Sequence, residues 1–115
     1  FMLNLGELAC AVQEGARFVL ILMNDRRYGV IRNIQDDFYG GRHCYVDLRT
    51  PDMRQLCASL GVRHWLVGRP EDAAPALAEA LAATDARPGP AIVEIDMPAW
   101  GPFTAKFAGP PLKKD

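Results

Sequence analysis

The residues best equipped for chemistry stand together as Asn24-Asp25-Arg26-Arg27-Tyr28-Gly29, directly behind the apolar run Phe18 to Met23. Asp25 offers a hard oxygen. A carboxylate with a nearby main-chain carbonyl is the kind of partial cage magnesium accepts, phosphate oxygens and water completing the octahedron. The same residues also read as an Asx-rich turn in which Asp25 caps the next helix. Spacing alone leaves both readings open. Arg26 is within reach of a phosphate, although a solvated turn arginine is the simpler reading. His43 and His64 invite proton transfer, but neither has an identifiable partner in the sequence. His64 falls in a strand pattern, facing core or a neighbouring helix, and His43 in a long loop. Glu7 is explained as a helix-start residue, and no catalytic residue is assigned. Neither GxGxxG nor GxxxxGK[ST] occurs.

The elements that must position these groups follow from periodicity. Leu5, Leu8, Ala9 and Val12 share one face of a helix from about Leu5 to Glu14, with Asn4 and Glu7 as a capping box and Gly15 as the stop. Phe18 to Met23 reads as a parallel strand buried on both faces. Tyr28-Gly29 leads into a short helix carrying Val30, Ile31 and Ile34. A loop from about Asp37 to Arg49 follows, whose aromatics Phe38, Tyr39 and Tyr45 predict packing. Thr50 as cap and Pro51 at the first position open the next helix, which Gly61 ends. His64 to Val67 is a strand. Pro70-Glu71-Asp72 opens a helix with Ala73, Leu77, Ala80 and Leu81 inward, and Ala91 to Asp96 is the last strand. Strands alternating with helices predict an α/β fold, a mostly parallel sheet flanked by helices. Ligands in such sheets sit at the carboxyl ends of strands, where Asn24 to Tyr28 lies.

Composition narrows the classes further. The 115 residues suit one domain, and an apolar half suffices for a core. A net charge of −1 without a basic stripe argues against nucleic acid. The longest apolar run is too short to span a membrane. Cys10, Cys44 and Cys57 lack CxxC spacing and read as free thiols in a reducing cytoplasm. Trp65 and Trp100 read as packing residues. The chain divides at residue 97, with residues 98–115, rich in proline and ending in Lys113-Lys114-Asp115, expected as an irregular tail.

Residues Phe1 to Gln35 resemble the thiamine-diphosphate motif of the acetolactate synthase and benzoylformate decarboxylase group. The resemblance runs through Phe1-Met2-Leu3-Asn4-Leu5-Gly6-Glu7-Leu8, Val19 to Met23, Asn24-Asp25 and Tyr28-Gly29-Val30-Ile31-Arg32. It continues through Gln35 to Tyr39, Thr50-Pro51-Asp52, Leu60-Gly61 and Gly89 to Glu94. By position it implies Asp25 as a side-chain magnesium ligand and Arg27 as a main-chain ligand through its carbonyl. Tyr28 and Gly29 are implied to lie against the diphosphate of thiamine diphosphate, at the start of a helix whose N–H groups face that anion. The group's Gly-Asp-Gly is expected just ahead of Phe1, so the chain reads as a diphosphate- and magnesium-binding domain without its first strand. Ile34 replaces a tryptophan that acetolactate synthases link to the choice of second substrate.

The resemblance implies a parent enzyme, a lyase or transferase acting on small 2-oxo acids by decarboxylation or carboligation. It implies a separate pyrimidine-binding domain and a second subunit, hence a homo-oligomer of at least two chains. Flavin is compatible with it but not indicated. The isolated chain is expected to be inactive. The rival reading is an α/β docking module that binds a protein partner and no cofactor.

Overall fold

A computed structural model describes residues 1–101. Three short apolar segments build its sheet: β1 (Val19–Asn24), β2 (Arg63–Val67) and β3 (Ala91–Asp96). Their order is β1-β3-β2, and both pairings are parallel. The register sets Leu22 and Leu66 on either side of Glu94, with Asn24 beside Asp96. Helices connect the strands, as parallel pairing requires: α1 (Leu5–Gln13), α2 (Gly29–Tyr39), α3 (Met53–Ser59) and α4 (Ala73–Ala86). The predicted α/β class therefore holds. Short 3-10 turns at Met2–Asn4 and Pro70–Asp72 precede α1 and α4, and α5 (Met97–Trp100) follows β3.

The central strand is covered on both faces, so Ala91 through Ile95 are all buried. On one face Val93 and Ile95 meet Val67 and Ala80, with Trp65, Ala73, Ala76 and Trp100 packed around them. Both tryptophans thus pack as expected. On the other face Ile92 meets Leu8, Cys57 and Val62, enclosed by Leu5, Val12, Leu20, Leu22 and Leu60. Arg63 secures the end of α4 and the turn after it by donating to the carbonyls of Ala83, Arg87 and Gly89.

Several local expectations are corrected. β1 is not buried on both faces: Ile21 and Met23 are about half exposed, because α4 covers β2 and β3 while β1 lies at the edge. Asn4 makes no side-chain cap bond, since the preceding 3-10 turn gives it φ −117° and ψ 27°. Asp52, not Thr50, caps α3; its carboxylate accepts the Gln55 N–H at 3.0 Å, and helix begins after Pro51 at Met53. α2 runs to Tyr39, and left-handed Gly40 ends it. The predicted packing of Phe38, Tyr39 and Tyr45 is absent, all three being exposed; Val46 anchors that loop instead. On α4 Ala73 and Ala80 face the core as expected, but Leu81 is exposed and Thr84 is buried in its place. A helix of mostly alanine has too little contrast for periodicity to choose its face. The expected tail begins inside a short helix, Met97–Trp100, and residues 102–115 of it lie outside the described residues.

Candidate functional site

The turn after β1 is built from two overlapping side-chain-to-backbone bonds. Asn24 Oδ1 accepts the Arg26 N–H at 3.2 Å, and Asp25 Oδ1 accepts the Arg27 N–H at 3.2 Å. Such Asx turns are why Asn and Asp recur where a chain must reverse. Arg26 sits at φ 55°, a left-handed conformation costly to a side chain with a Cβ. Three contacts hold it there. Its carbonyl accepts the Leu48 N–H at 2.9 Å, its N–H is taken by Asn24, and its guanidinium pairs with Asp96 at 2.8 Å. The segment carrying buried Val46 braces the next residue too, because Val46 O accepts the Tyr28 N–H at 2.8 Å. Backbone strain persists where neighbours over-determine it, and such places cluster at functional sites.

Asp25 and Gly29 meet at the start of α2. A Cβ on Gly29 would lie 2.7 Å from Asp25 Oδ2, so glycine leaves the room the carboxylate occupies. Arg27 folds back to donate from Nε to the Asp25 main-chain oxygen at 3.1 Å. Among the described residues the Arg27 carbonyl accepts no hydrogen bond. Tyr28 is the N-cap of α2, and its side chain is about half exposed. Asp25, Arg27, Tyr28 and Gly29 are therefore brought together. The expectation that Asp25 caps α2 is not met, since no side chain caps that helix.

The Asp25 carboxylate and the open Arg27 carbonyl are hard oxygens suited to a cation such as magnesium. Two oxygens are only part of a cage. Among the described residues no group of three or more His, Cys, Asp or Glu side chains could hold a metal ion. Phosphate oxygens and water would have to supply the rest, which is magnesium's habit.

Beneath the turn lies a buried polar chain that sequence reading missed. His64 on β2 donates from Nε2 to Glu94 Oε2 at 2.8 Å, and Asn24 Nδ2 donates to Glu94 Oε1 at 2.7 Å. The carboxylate only accepts, so both nitrogens must carry the hydrogen. All three side chains are buried, those of His64 and Glu94 only 5% and 9% exposed. Each link runs diagonally to the neighbouring strand, two residues further toward the carboxyl end. A glutamate inside the apolar strand Ala-Ile-Val-Glu-Ile was the available clue, because a buried charge needs partners. Which partners it had depended on register. Asn24, His64 and Glu94 also line an open cavity of about 550 Å³ together with Arg26, Arg49 and Arg54.

The other candidates are peripheral. His43 Nε2 meets Asp36 Oδ1 at 2.6 Å on the surface, away from the strand ends. Cys10 and Cys44 are exposed free thiols, and Cys57 is buried. Burial pushes the Cys57 thiol above its ordinary pKa, and the Glu94 carboxylate adds to the shift. No helix among the described residues is long and apolar enough to cross a membrane.

Residues 1–95 match the family described as thiamine pyrophosphate enzyme, C-terminal TPP binding domain. The chain is 26% identical over 109 residues to the mitochondrial acetolactate synthase catalytic subunit of Saccharomyces cerevisiae, covering 95% of this chain and 15% of the yeast protein. It is 30% identical over 82 residues to a probable acetolactate synthase large subunit of Methanococcus aeolicus, covering 70% of this chain and 14% of that one. It is 31% identical over 80 residues to the acetolactate synthase large subunit of Haemophilus influenzae, covering 69% and 14%. The chain thus spans about one seventh of the length of these relatives. A match over this much of the chain, on a parallel sheet with helices on both faces, makes it a C-terminal thiamine-pyrophosphate-binding domain of the thiamine pyrophosphate enzyme family.

Proposed function

We propose that this domain anchors magnesium and the diphosphate of thiamine diphosphate in an acetolactate synthase-like enzyme acting on 2-oxo acids. The observation that carries the reading is the Asp25 carboxylate resting against Gly29 at the first turn of α2, beside the open Arg27 carbonyl. Asp25 and Arg27 would each offer magnesium one oxygen. Tyr28 and Gly29 would lie against the diphosphate, where the free N–H groups of a helix start favour an anion. When bound, thiamine diphosphate supplies the carbanion chemistry that 2-oxo-acid cleavage or carboligation needs. The domain's own work is to place that group and hold its charge. Glu94 is already held by Asn24 and His64, so it is not assigned a proton-transfer role.

The rest of the enzyme belongs to the same proposal: a pyrimidine-binding domain, a second subunit, a cytoplasmic setting, and decarboxylase or carboligase activity in the assembled protein. The isolated chain is proposed to turn nothing over; pyruvate consumption above a protein-free control would refute that. The whole protein that carries the domain gives the direct test. Its coding sequence should read Gly-Asp-Gly in frame ahead of Phe1, with the aspartate three residues before it. Calorimetric titration with thiamine diphosphate should give magnesium-dependent binding that Asp25→Ala weakens at least about tenfold, the scale of losing a metal-site contact. Equal binding by the variant would remove Asp25 from the site.

A docking module without cofactor is the second reading, favoured by α2. That helix has no buried residue, and Val30, Ile31, Ile34 and Phe38 are all exposed. Contiguous apolar exposure marks contact surfaces. Magnesium-dependent cofactor binding lost in Asp25→Ala would decide for anchoring; partner binding without any cofactor affinity would decide for docking.

A further inference from the structure

We infer that His64 is a positioning residue: through Glu94 and Asn24 it fixes the shape of the turn that presents Asp25. The inference rests on the proposed anchoring for what the turn holds, and on the structure alone for the relay. The links are continuous. His64 donates to one oxygen of Glu94, Asn24 Nδ2 donates to the other, and Asn24 Oδ1 accepts the Arg26 N–H. Asn24 therefore has its amide oriented from below. Its Nδ2 is engaged by the carboxylate, which leaves Oδ1 pointing at the turn. Without that constraint the amide can rotate, and Arg26 loses one of the three contacts that hold it at φ 55°.

Stability gives little reason for such a chain. A buried ion pair or triad exchanged for apolar side chains of similar volume is often neutral or stabilising. In the register Leu22 and Leu66 flank Glu94, and Ile92 packs with Cys57 on the same face of the sheet. What the polar trio adds is direction. Glu94 has one carboxylate oxygen for each neighbour, so the His64 bond fixes the rotation of the carboxylate that Asn24 must meet. The chain also ends in the turn rather than in the core. Register carries the chain from His64 near the start of β2, through Glu94, to Asn24 at the carboxyl end of β1.

The test compares His64→Leu, His64→Gln and a control, Val67→Ala, which weakens the opposite core without touching the relay. Amide hydrogen exchange on the 115-residue chain is read at Arg26 and Arg27 relative to the β3 amides. A merely structural role would move all of these together. The relay requires His64→Leu to speed exchange at Arg26 and Arg27 at least about tenfold more than at β3. His64→Gln, which keeps an N–H for Glu94, should stay close to wild type, and Val67→Ala should shift turn and sheet alike. Should His64→Leu not fold, His64→Ser, short enough to admit water beside Glu94, is read in its place. A uniform change across turn and sheet overturns the inference. In the whole protein, magnesium-dependent binding of thiamine diphosphate should fall at least about tenfold in His64→Leu and recover in His64→Gln. Failure of the wild type to bind would sink the anchoring reading and leave the exchange ratio to decide the relay. Wild-type binding with unchanged affinity in His64→Leu would sink the relay alone.

Discussion

Gly29→Ala separates the site from the fold. Gly29 opens α2 and does not use the left-handed conformations that glycine permits. Alanine suits a helix better than glycine, by up to about 1 kcal/mol in an interior position and less at the first turn. The cost falls on Asp25 alone, because the new Cβ meets only its carboxylate at short range, at 2.7 Å from Oδ2. Ordinary contact begins near 3.4 Å, so the carboxylate must withdraw by roughly 0.7 Å, the flexible end of a side chain yielding to a fixed one. Withdrawal strains the bond from the Arg27 N–H to Oδ1, worth about 0.5–1.5 kcal/mol. Gain and loss are of similar size. Net stability should therefore stay within about 1 kcal/mol of wild type, a melting shift below about 8 °C for a domain of this length.

A metal site has no such tolerance. Ligand distances must hold to about 0.2 Å, and a displacement several times larger removes the ligand. Gly29→Ala should therefore melt like wild type and yet show faster amide exchange at Arg27. In the whole protein it should bind thiamine diphosphate with magnesium at least about tenfold more weakly. Differential scanning calorimetry, exchange and titration read the three effects separately. A large loss of stability would show that Gly29 serves the fold. Unchanged affinity with a displaced Asp25 would show that Asp25 holds no metal.

Three further outcomes are expected. Tyr45 is left-handed at φ 54° and its residue is 95% exposed, so Tyr45→Gly should raise stability by up to about 1 kcal/mol in a denaturant melt, relief of backbone strain exceeding the entropy cost of glycine. Asp52→Ala should cost about 1 kcal/mol by removing the cap of α3, whereas Thr50→Ala should cost nothing measurable, reversing the order that the sequence suggests. Cys57 keeps its proton in the folded state to higher pH than in the unfolded chain, because burial and then Glu94 raise its pKa. Its contribution is present below the ordinary thiol pKa of about 8.5 and is lost as pH rises through the raised folded value. Stability above about pH 8.5 should fall less steeply in Cys57→Ala once the variant's lower baseline is subtracted, and a thiol reagent should label Cys10 and Cys44 well before Cys57.

The fold was legible because its strands are short, apolar and punctuated. Ala91 to Asp96 stands between Gly89-Pro90 and Pro98, and Phe18 to Met23 between Gly15 and a polar turn, so three strands and their order could be read from composition. Which strand was central could not. Nothing local distinguishes β3, buried from Ala91 to Ile95, from β1, whose Ile21 and Met23 face outward; that depends on where α4 lies. The turn Asn24 to Gly29 was legible for the same local reason: Asx bonds span two residues and need no tertiary information. Caps were harder, because Thr50, Pro51 and Asp52 are all credible helix openers, and the choice rests on one hydrogen bond to Gln55.

His64 and Glu94 show where local reading stops. They are 30 residues apart, Asn24 is 70 from Glu94, and only register makes them neighbours. Each stands in sequence as a polar residue inside a largely apolar strand, a signal that was not read. The physics of burial turns two anomalies into one expectation, since a carboxylate that leaves water must find donors. It found two, and the second of them, Asn24, is the residue from which the strained turn departs. If the trio were there for stability, apolar replacements would serve as well, and the chain could end anywhere in the layer. It ends instead against Arg26, one residue from Asp25, at the strand edge where α/β sheets take their ligands. Placement, more than energy, connects the buried chain to the site above it.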